Sequence, residues 1–226
     1  MSTKPVQTLI LTLVALVVAG PLLAAGSSTV PSAPETPELD PMQQAIQNYN
    51  MGIQMRDKGW ELEEKAAAES DPEKRAKLEK KAMKQFKKSI SAFTAAVRNN
   101  PDFFQAHSAL GYALRRTGEY QASLNSYNKA LAIEPRYAEA IEYRGEAFLG
   151  LGRIEEAKEA YMELFRLDRA RADELMTAMK GWLDQKSEEP DGVDAATLED
   201  LASWIEERDE VSEFTPRLED RVARRW

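Results

Sequence analysis

Residues 104–135 read FQAHSALGYALRRTGEYQASLNSYNKALAIEP, and their spacing decides the fold. Leu110, Gly111 and Leu114 fall on one helical stretch, Gly118 interrupts it, and Tyr127 and Ala130 fall on a second stretch that Pro135 closes. Gly111 and Ala130 remove side-chain bulk where two helices cross, while Leu110, Leu114 and Tyr127 fill the space between them; a proline then stops the second helix. The same positions recur at one constant offset: Phe86 as Tyr120, Phe93 as Tyr127 and Tyr161, Ala96 as Ala130, Pro101 as Pro135, Gly111 as Gly145, and Gly118 as Gly152. A fixed period of this size, about 34 residues, marks a stack of like units, each burying its apolar face against the next.

On these residues the segment resembles the tetratricopeptide repeat family, whose unit is a helix–turn–helix of that period. His107 stands where the family usually has tryptophan, and Ser123 sits at or beside the usual small alanine. Residues 138–171 form a weaker copy, keeping Gly145, Phe148, Gly152, Ala157 and Tyr161 but carrying Arg144 for leucine and Arg169 for proline. Those departures suit a repeat near the end of the stack. The resemblance implies an all-α fold, a short right-handed α-solenoid of three helix pairs.

The first pair is longer than the others. Gly52 lies further from Gly111 than one period, and the excess of about 25 residues is an insertion in the first hairpin. Ser70-Asp71-Pro72-Glu73 reads as a helix start, with Ser70 as the capping residue. Helices over 42–69 and 72–99 follow, each about 42 Å long at 1.5 Å per residue. Leu78, Ala82, Phe86, Ile90, Phe93 and Val97 predict the apolar seam of the second. Beyond residue 171, Leu175, Met179 and Trp182 share one face of a capping helix, residues 187–194 form a loop, and Leu198, Leu201 and Ile205 with Trp204 define a last amphipathic helix before the Arg224-Arg225-Trp226 tail.

At the other end, Lys4 precedes an uncharged, mostly apolar run from Val6 to Ala25, which closes on the small residues Ala24, Ala25, Gly26 and Ser27. This predicts a signal peptide over 1–26, cut near Gly26, with an uncleaved membrane anchor as the alternative. No basic residue follows until Arg56, which places the rest outside the cytoplasm. The expectation is therefore an extracytoplasmic, periplasmic protein, or one anchored in the inner membrane and facing that space, with membrane contact only through this segment if it is retained. Residues 27–41 hold four of the eleven prolines and form a linker. There is no cysteine, so disulfides, thiol catalysis and cysteine metal sites are excluded. The net charge of −8 becomes −9 without Lys4, which argues against a nucleic-acid partner.

The resemblance implies that ligands lie against the first helix of each pair. Extending the spacing names Ile46, Tyr49, Ile53 and Arg56 in the first, Gln105, Ser108, Tyr112, Arg115 and Arg116 in the second, and Glu139, Glu142 and Glu146 in the third. This predicts a groove aromatic and basic at one end and acidic at the other, suited to a peptide with apolar groups and charges of both signs. The lysine and asparagine pattern that clamps a carboxyl-terminal peptide in some family members is not visible. The basic run Lys74, Arg75, Lys77, Lys80, Lys81, Lys84, Lys87 and Lys88 has two readings: contact with anionic lipid headgroups, or, as the favoured one, ion pairs across the hairpin with Glu61, Glu63, Glu64 and Glu69.

Catalysis has little to rest on. His107, the only histidine, occupies a core position; the three helical glutamates lack the wrapped loop of a calcium site; and no phosphate loop, metal-spaced histidine pair or nucleophile elbow appears. The expectation is a noncatalytic scaffold or adaptor of the cell envelope, without cofactor or metal, that binds a protein or peptide segment in its groove. Two alternatives remain: a subunit that self-associates into a homo-oligomer through the long hairpin or the C-terminal helix, and a binding or enzymatic site within 172–226.

Overall fold

A computed structural model describes residues 39–214. The leader, nearly all of the proline-rich linker and the Arg224-Arg225-Trp226 tail lie outside the described residues. Within them the chain forms eight helices and no strand: α1 (Pro41–Ala67), α2 (Pro72–Asn99), α3 (Phe104–Arg116), α4 (Tyr120–Ile133), α5 (Ala138–Gly150), α6 (Ile154–Leu167), α7 (Arg169–Glu188) and α8 (Ala195–Phe214). α1 folds back on α2, α3 on α4 and α5 on α6, and successive pairs meet through α2 with α3 and α4 with α5. The first helices lie side by side, α1 by α3, α3 by α5 and α5 by α7. The result is an all-α solenoid with a common inner wall.

The two short pairs turn in the same way. Gly118 and Gly152 adopt φ of +83° and +68°, a conformation that a Cβ penalises. That turn lets the amide of Glu119 reach the carbonyl of Leu114, and the amide of Arg153 that of Phe148, satisfying carbonyls at the helix ends. The long helices are fixed at their starts instead. Asp40 and Gln43 form a reciprocal capping box on α1. On α2 the cap is Asp71 rather than the expected Ser70: its carboxylate accepts from the amides of Glu73 and Lys74, with Pro72 at the first helical position. A proline needs no amide partner there, so the residue directly before it is the one that caps.

α1 buries Ala45, Gly52, Gly59 and Ala66, one small residue in every seventh position. α2 meets this strip with Ala82, Phe86, Ser89, Phe93 and Ala96, alternating steps of four and three as in a coiled-coil seam. Leu78, Ile90 and Val97 of the predicted seam are only half-buried, because a seven-residue repeat drifts from the straight line of i, i+4 contacts. The backbones approach closely enough for the Phe93 ring to sit on Gly52 and the Phe86 ring on Gly59, as Tyr127 sits on Gly111. Gly52 and Phe93 stand much further apart along the chain than Gly111 and Tyr127 do, so the ring-on-glycine contact closes a longer hairpin here.

At the far end, Gly145 is covered by Leu175 of α7. Leu175 and Met179 are fully buried in the terminal core, and Trp182 is partly buried against it. Leu201 and Ile205 of α8 join that core, while Trp204 stacks edge-on against Tyr161 at 5.3 Å. Asp168 and Asp194 cap these last two helices by accepting the amides of Arg171 and Thr197. His107 is buried, and its Nε2–H donates to the carbonyl of Pro101 at 2.8 Å, tying α3 to the loop before it.

The favoured reading of the basic run is overturned. Lys74 pairs with Asp71 at 3.6 Å, and the Arg75 guanidinium donates to the Glu69 carbonyl. Lys77, Lys80, Lys81, Lys84, Lys87 and Lys88 are exposed, and among the described residues none of them pairs with an acid of α1. Glu63 turns the other way, to Arg116 of α3. The seam itself separates the charges, because packing small residues against rings points the lysines away from α1.

Candidate functional site: the inner wall

The wall is assembled from α1, α3, α5 and the start of α7. Its centre is a line of rings: Trp60 lies edge-on to Tyr112 at 5.5 Å, and Tyr112 edge-on to Tyr143 at 5.1 Å. The Trp60 indole N–H donates to the Tyr112 hydroxyl, and the Arg116 guanidinium donates to the same hydroxyl at 3.2 Å. Guanidinium groups stand over the ring faces: Arg56 over Trp60 at 4.2 Å, and Arg115 over both Tyr112 and Tyr143 at 5.3 and 5.4 Å. A ring face is electronegative, so this arrangement holds the cations in place along the wall.

The carboxylates complete the network. Arg115 pairs with Glu146 at 2.6 Å, Arg116 with Glu63, and Arg171 with Glu142 at 2.6 Å and Glu139 at 3.8 Å. Arg56 donates twice to its neighbour Asp57. The predicted division into a basic end and an acidic end is therefore corrected: each arginine of α3 reaches an acid on a neighbouring first helix, so opposite charges alternate across the repeats. Stacking brings together side chains that are 31 and 53 positions apart in the chain.

Burial governs the acids. It pushes the Glu142 carboxyl up to about 7 against the pull of Arg171, and it also raises Glu146, with Arg115 and Arg116 opposing. On the cations burial opposes the charge too, yet Glu146 and Glu142 hold Arg115 and Arg171 above the ordinary guanidinium value. The two ends of the Glu142–Arg171 pair thus report opposite balances. Glu142, 6% exposed against 29% for Arg171, is the end where lost hydration dominates. Burial also raises the Tyr143 and Tyr49 hydroxyls, the latter opposed by Arg56 and reinforced by Glu139, which puts α1 and α5 within electrostatic reach.

The predicted residues occupy different depths. Tyr49 stacks on Phe93 and Phe103, and both Tyr49 and Ile53 pack partly buried on the core beneath. Arg56, Gln105, Arg115, Arg116, Glu139 and Glu146 are partly accessible on the wall, and Ile46 is 45% exposed near its edge. Tyr112 and Glu142 are buried within the network. Ser108, 1% exposed with its Oγ unpartnered, lies beneath the surface rather than on it. The extended spacing omitted Trp60, one turn beyond Arg56, and Tyr143, between Glu139 and Glu146; both were within reach of the same rule. Arg171 carried no such signal, because it closes the third copy and lies on α7, beyond the first helices to which the spacing was applied. Among the described residues no group of three or more acids and histidines is placed to hold a metal, and no helix is long and apolar enough to cross a membrane.

Residues 111–152 match the TPR repeat family and residues 144–171 the tetratricopeptide repeat family. Residues 111–171 thus carry tetratricopeptide repeats. Residues 42–89, which take in nearly all of α1 and most of α2, match a family of unknown function (DUF6381). Among solved structures, the first TPR of Spaghetti (RPAP3) bound to the HSP90 peptide SRMEEVD is 22% identical over 56% of this chain and 94% of its own, with a TM-score of 0.39. The MamA RS-1 ArsTM double mutant is 18% identical over 76% of this chain and 98% of its own, with a TM-score of 0.40. No curated protein matches the chain. The TPR stack makes this a protein–protein interaction scaffold.

Proposed function

We propose that this TPR protein is a noncatalytic adaptor of the cell envelope that holds a peptide or protein segment against its inner wall. The observation that carries the reading is the continuous line Trp60–Tyr112–Tyr143, with guanidinium groups over the rings and an ion pair at each step between first helices. Rings and arginines locked by their neighbours offer binding area at little cost in lost side-chain freedom, as binding hot spots do. The alternating pairs suit a segment of mixed charge, which exchanges partners with the wall instead of meeting one large field. Ile46, Tyr49 and Ile53 add apolar surface along α1. The envelope location rests on the apolar run from Val6 to Ala25 and on the lack of basic residues after it until Arg56.

The test is affinity capture from detergent-solubilised envelopes with the wild type and an Ile53→Ala, Gln105→Ala, Glu139→Ala variant. These three sit on the wall without being fully buried in the network, so helicity and melting temperature verify that the variant folds. A protein captured by the wild type and lost with the variant supports the reading. Equal capture moves the binding surface off the wall. A mass that rises with concentration, with no partner captured, replaces the adaptor by a self-assembling subunit.

A further inference from the structure

The outer face of α2 carries a feature that the inner wall does not use. Lys77, Lys80, Lys81, Lys84, Lys87 and Lys88 fall within an arc of about 120° and span about 17 Å of helix. The arc lies opposite the seam of Ala82, Phe86 and Phe93, so all six side chains are exposed. Among the described residues none has a carboxylate partner. Of the two acids between residues 73 and 88, Glu73 lies a turn before the stripe and Glu79 lies off the arc. Six unneutralised like charges on one face repel one another, and in a chain of net charge −8 they form a single localised positive field.

We infer that this face of α2 docks onto an anionic phospholipid surface. Three observations favour lipid headgroups over another polyanion. The stripe is all lysine, a point charge suited to diffuse headgroups, with none of the flat, forked guanidinium groups that read a fixed phosphate or carboxylate geometry. Both rings of α2 are buried in the seam, so no aromatic face is available for stacked bases. The chain also carries its own apolar run from Val6 to Ala25, and only the short linker separates that run from α1. The choice of lipid rests on the envelope location proposed above; the stripe itself does not. The acidic body is repelled by the surface that attracts α2, so the hairpin would lie flat with the inner wall turned away from the bilayer.

Because the chain has no cysteine, Ser91→Cys provides one labelling site on the exposed arc for a nitroxide. The full-length chain is mixed with vesicles of phosphatidylcholine alone or with ~30% phosphatidylglycerol, whose surface potential attracts polybasic segments, and access of a water-soluble paramagnetic relaxant to the label is read. This reports contact of the stripe whether or not the leader also inserts. The expected result is a severalfold fall in access on anionic vesicles only, reversed by high salt and abolished by Lys77→Gln, Lys81→Gln, Lys84→Gln and Lys88→Gln together. Those lysines are exposed and unpaired, so the variant keeps its melting temperature and its capture of a groove partner. Equal access on both vesicle types, or protection that survives the four substitutions, overturns the inference. Protection by soluble polyglutamate or DNA with none by anionic vesicles overturns it in favour of an acidic macromolecule.

Discussion

Replacing Gly52 with alanine tests the packing of the long hairpin directly. A Cβ built there lies 2.5 and 2.9 Å from two atoms of the Phe93 ring and closer still to a third, far inside contact distance. The ring is fully buried and stacked on Tyr49, so it has no free space to move into. Overpacking of this kind costs about 1–3 kcal/mol, while alanine restores about 0.8–1 kcal/mol of helix propensity. The net loss is up to about 2 kcal/mol, with a central value of about 1 kcal/mol. Gly181, inside α7 with nothing within 4 Å of its Cβ position, gains the propensity term alone. The same chemical change at the two sites therefore moves the melting temperature in opposite directions, by about 2–4 °C per kcal/mol in a domain of this size. Thermal melts followed by far-ultraviolet circular dichroism decide it. If Gly52→Ala raises the melting temperature as Gly181→Ala does, the close approach of α1 and α2 is refuted. Adding Phe93→Leu to Gly52→Ala should cost less than the sum of the two single changes, because a smaller side chain relieves the overlap.

Two further outcomes follow from the inner wall. Glu142 has its carboxyl raised to about 7, so the folded state holds a proton that the unfolded state has released; the associated stability is present below about pH 4.5 and lost as the pH rises through 7. At about 1.4 kcal/mol per unit the effect reaches about 3 kcal/mol; Glu142→Gln should flatten the fall in stability between pH 5 and 8, and an unchanged slope would remove desolvation of Glu142 as its cause. Arg115→Ala leaves Glu146 without its partner in a partly buried site and should cost roughly 3 kcal/mol. The Arg115→Ala, Glu146→Ala double variant should then cost less than the two single changes combined, and strict additivity in urea melts would show that the pair contributes no coupling.

Much of the fold was legible because its cause is local. A helix pair with a close crossing needs a small residue and a ring at fixed separation, and stacking repeats that demand once per period, so Gly111 with Tyr127 marks the unit wherever it recurs. The seating of Phe93 on Gly52 makes the same contact across a longer hairpin. The seam was less legible: the sequence suggested Leu78, Ile90 and Val97, while the pairing turned Ser89 and Ala96 inward, because the shape of α1 decides which face of α2 is buried.

The wall shows the same division. Spacing placed Tyr112, Arg115, Arg116, Glu139, Glu142 and Glu146 on the first helices, and a longer run of the same rule would have added Trp60 and Tyr143. Nothing in the spacing joined Arg115 to Glu146, Arg116 to Glu63 or Arg171 to Glu142, or left six lysines of α2 without the acids that α1 offered in sequence. By itself the sequence determined that the helices exist, pair and stack, since those features depend on residues a few turns apart. Which charges neutralise one another was decided only by the tertiary structure, because an ion pair forms across helices whose rotation is set by the packing of apolar side chains, and that rotation appears in no single helix.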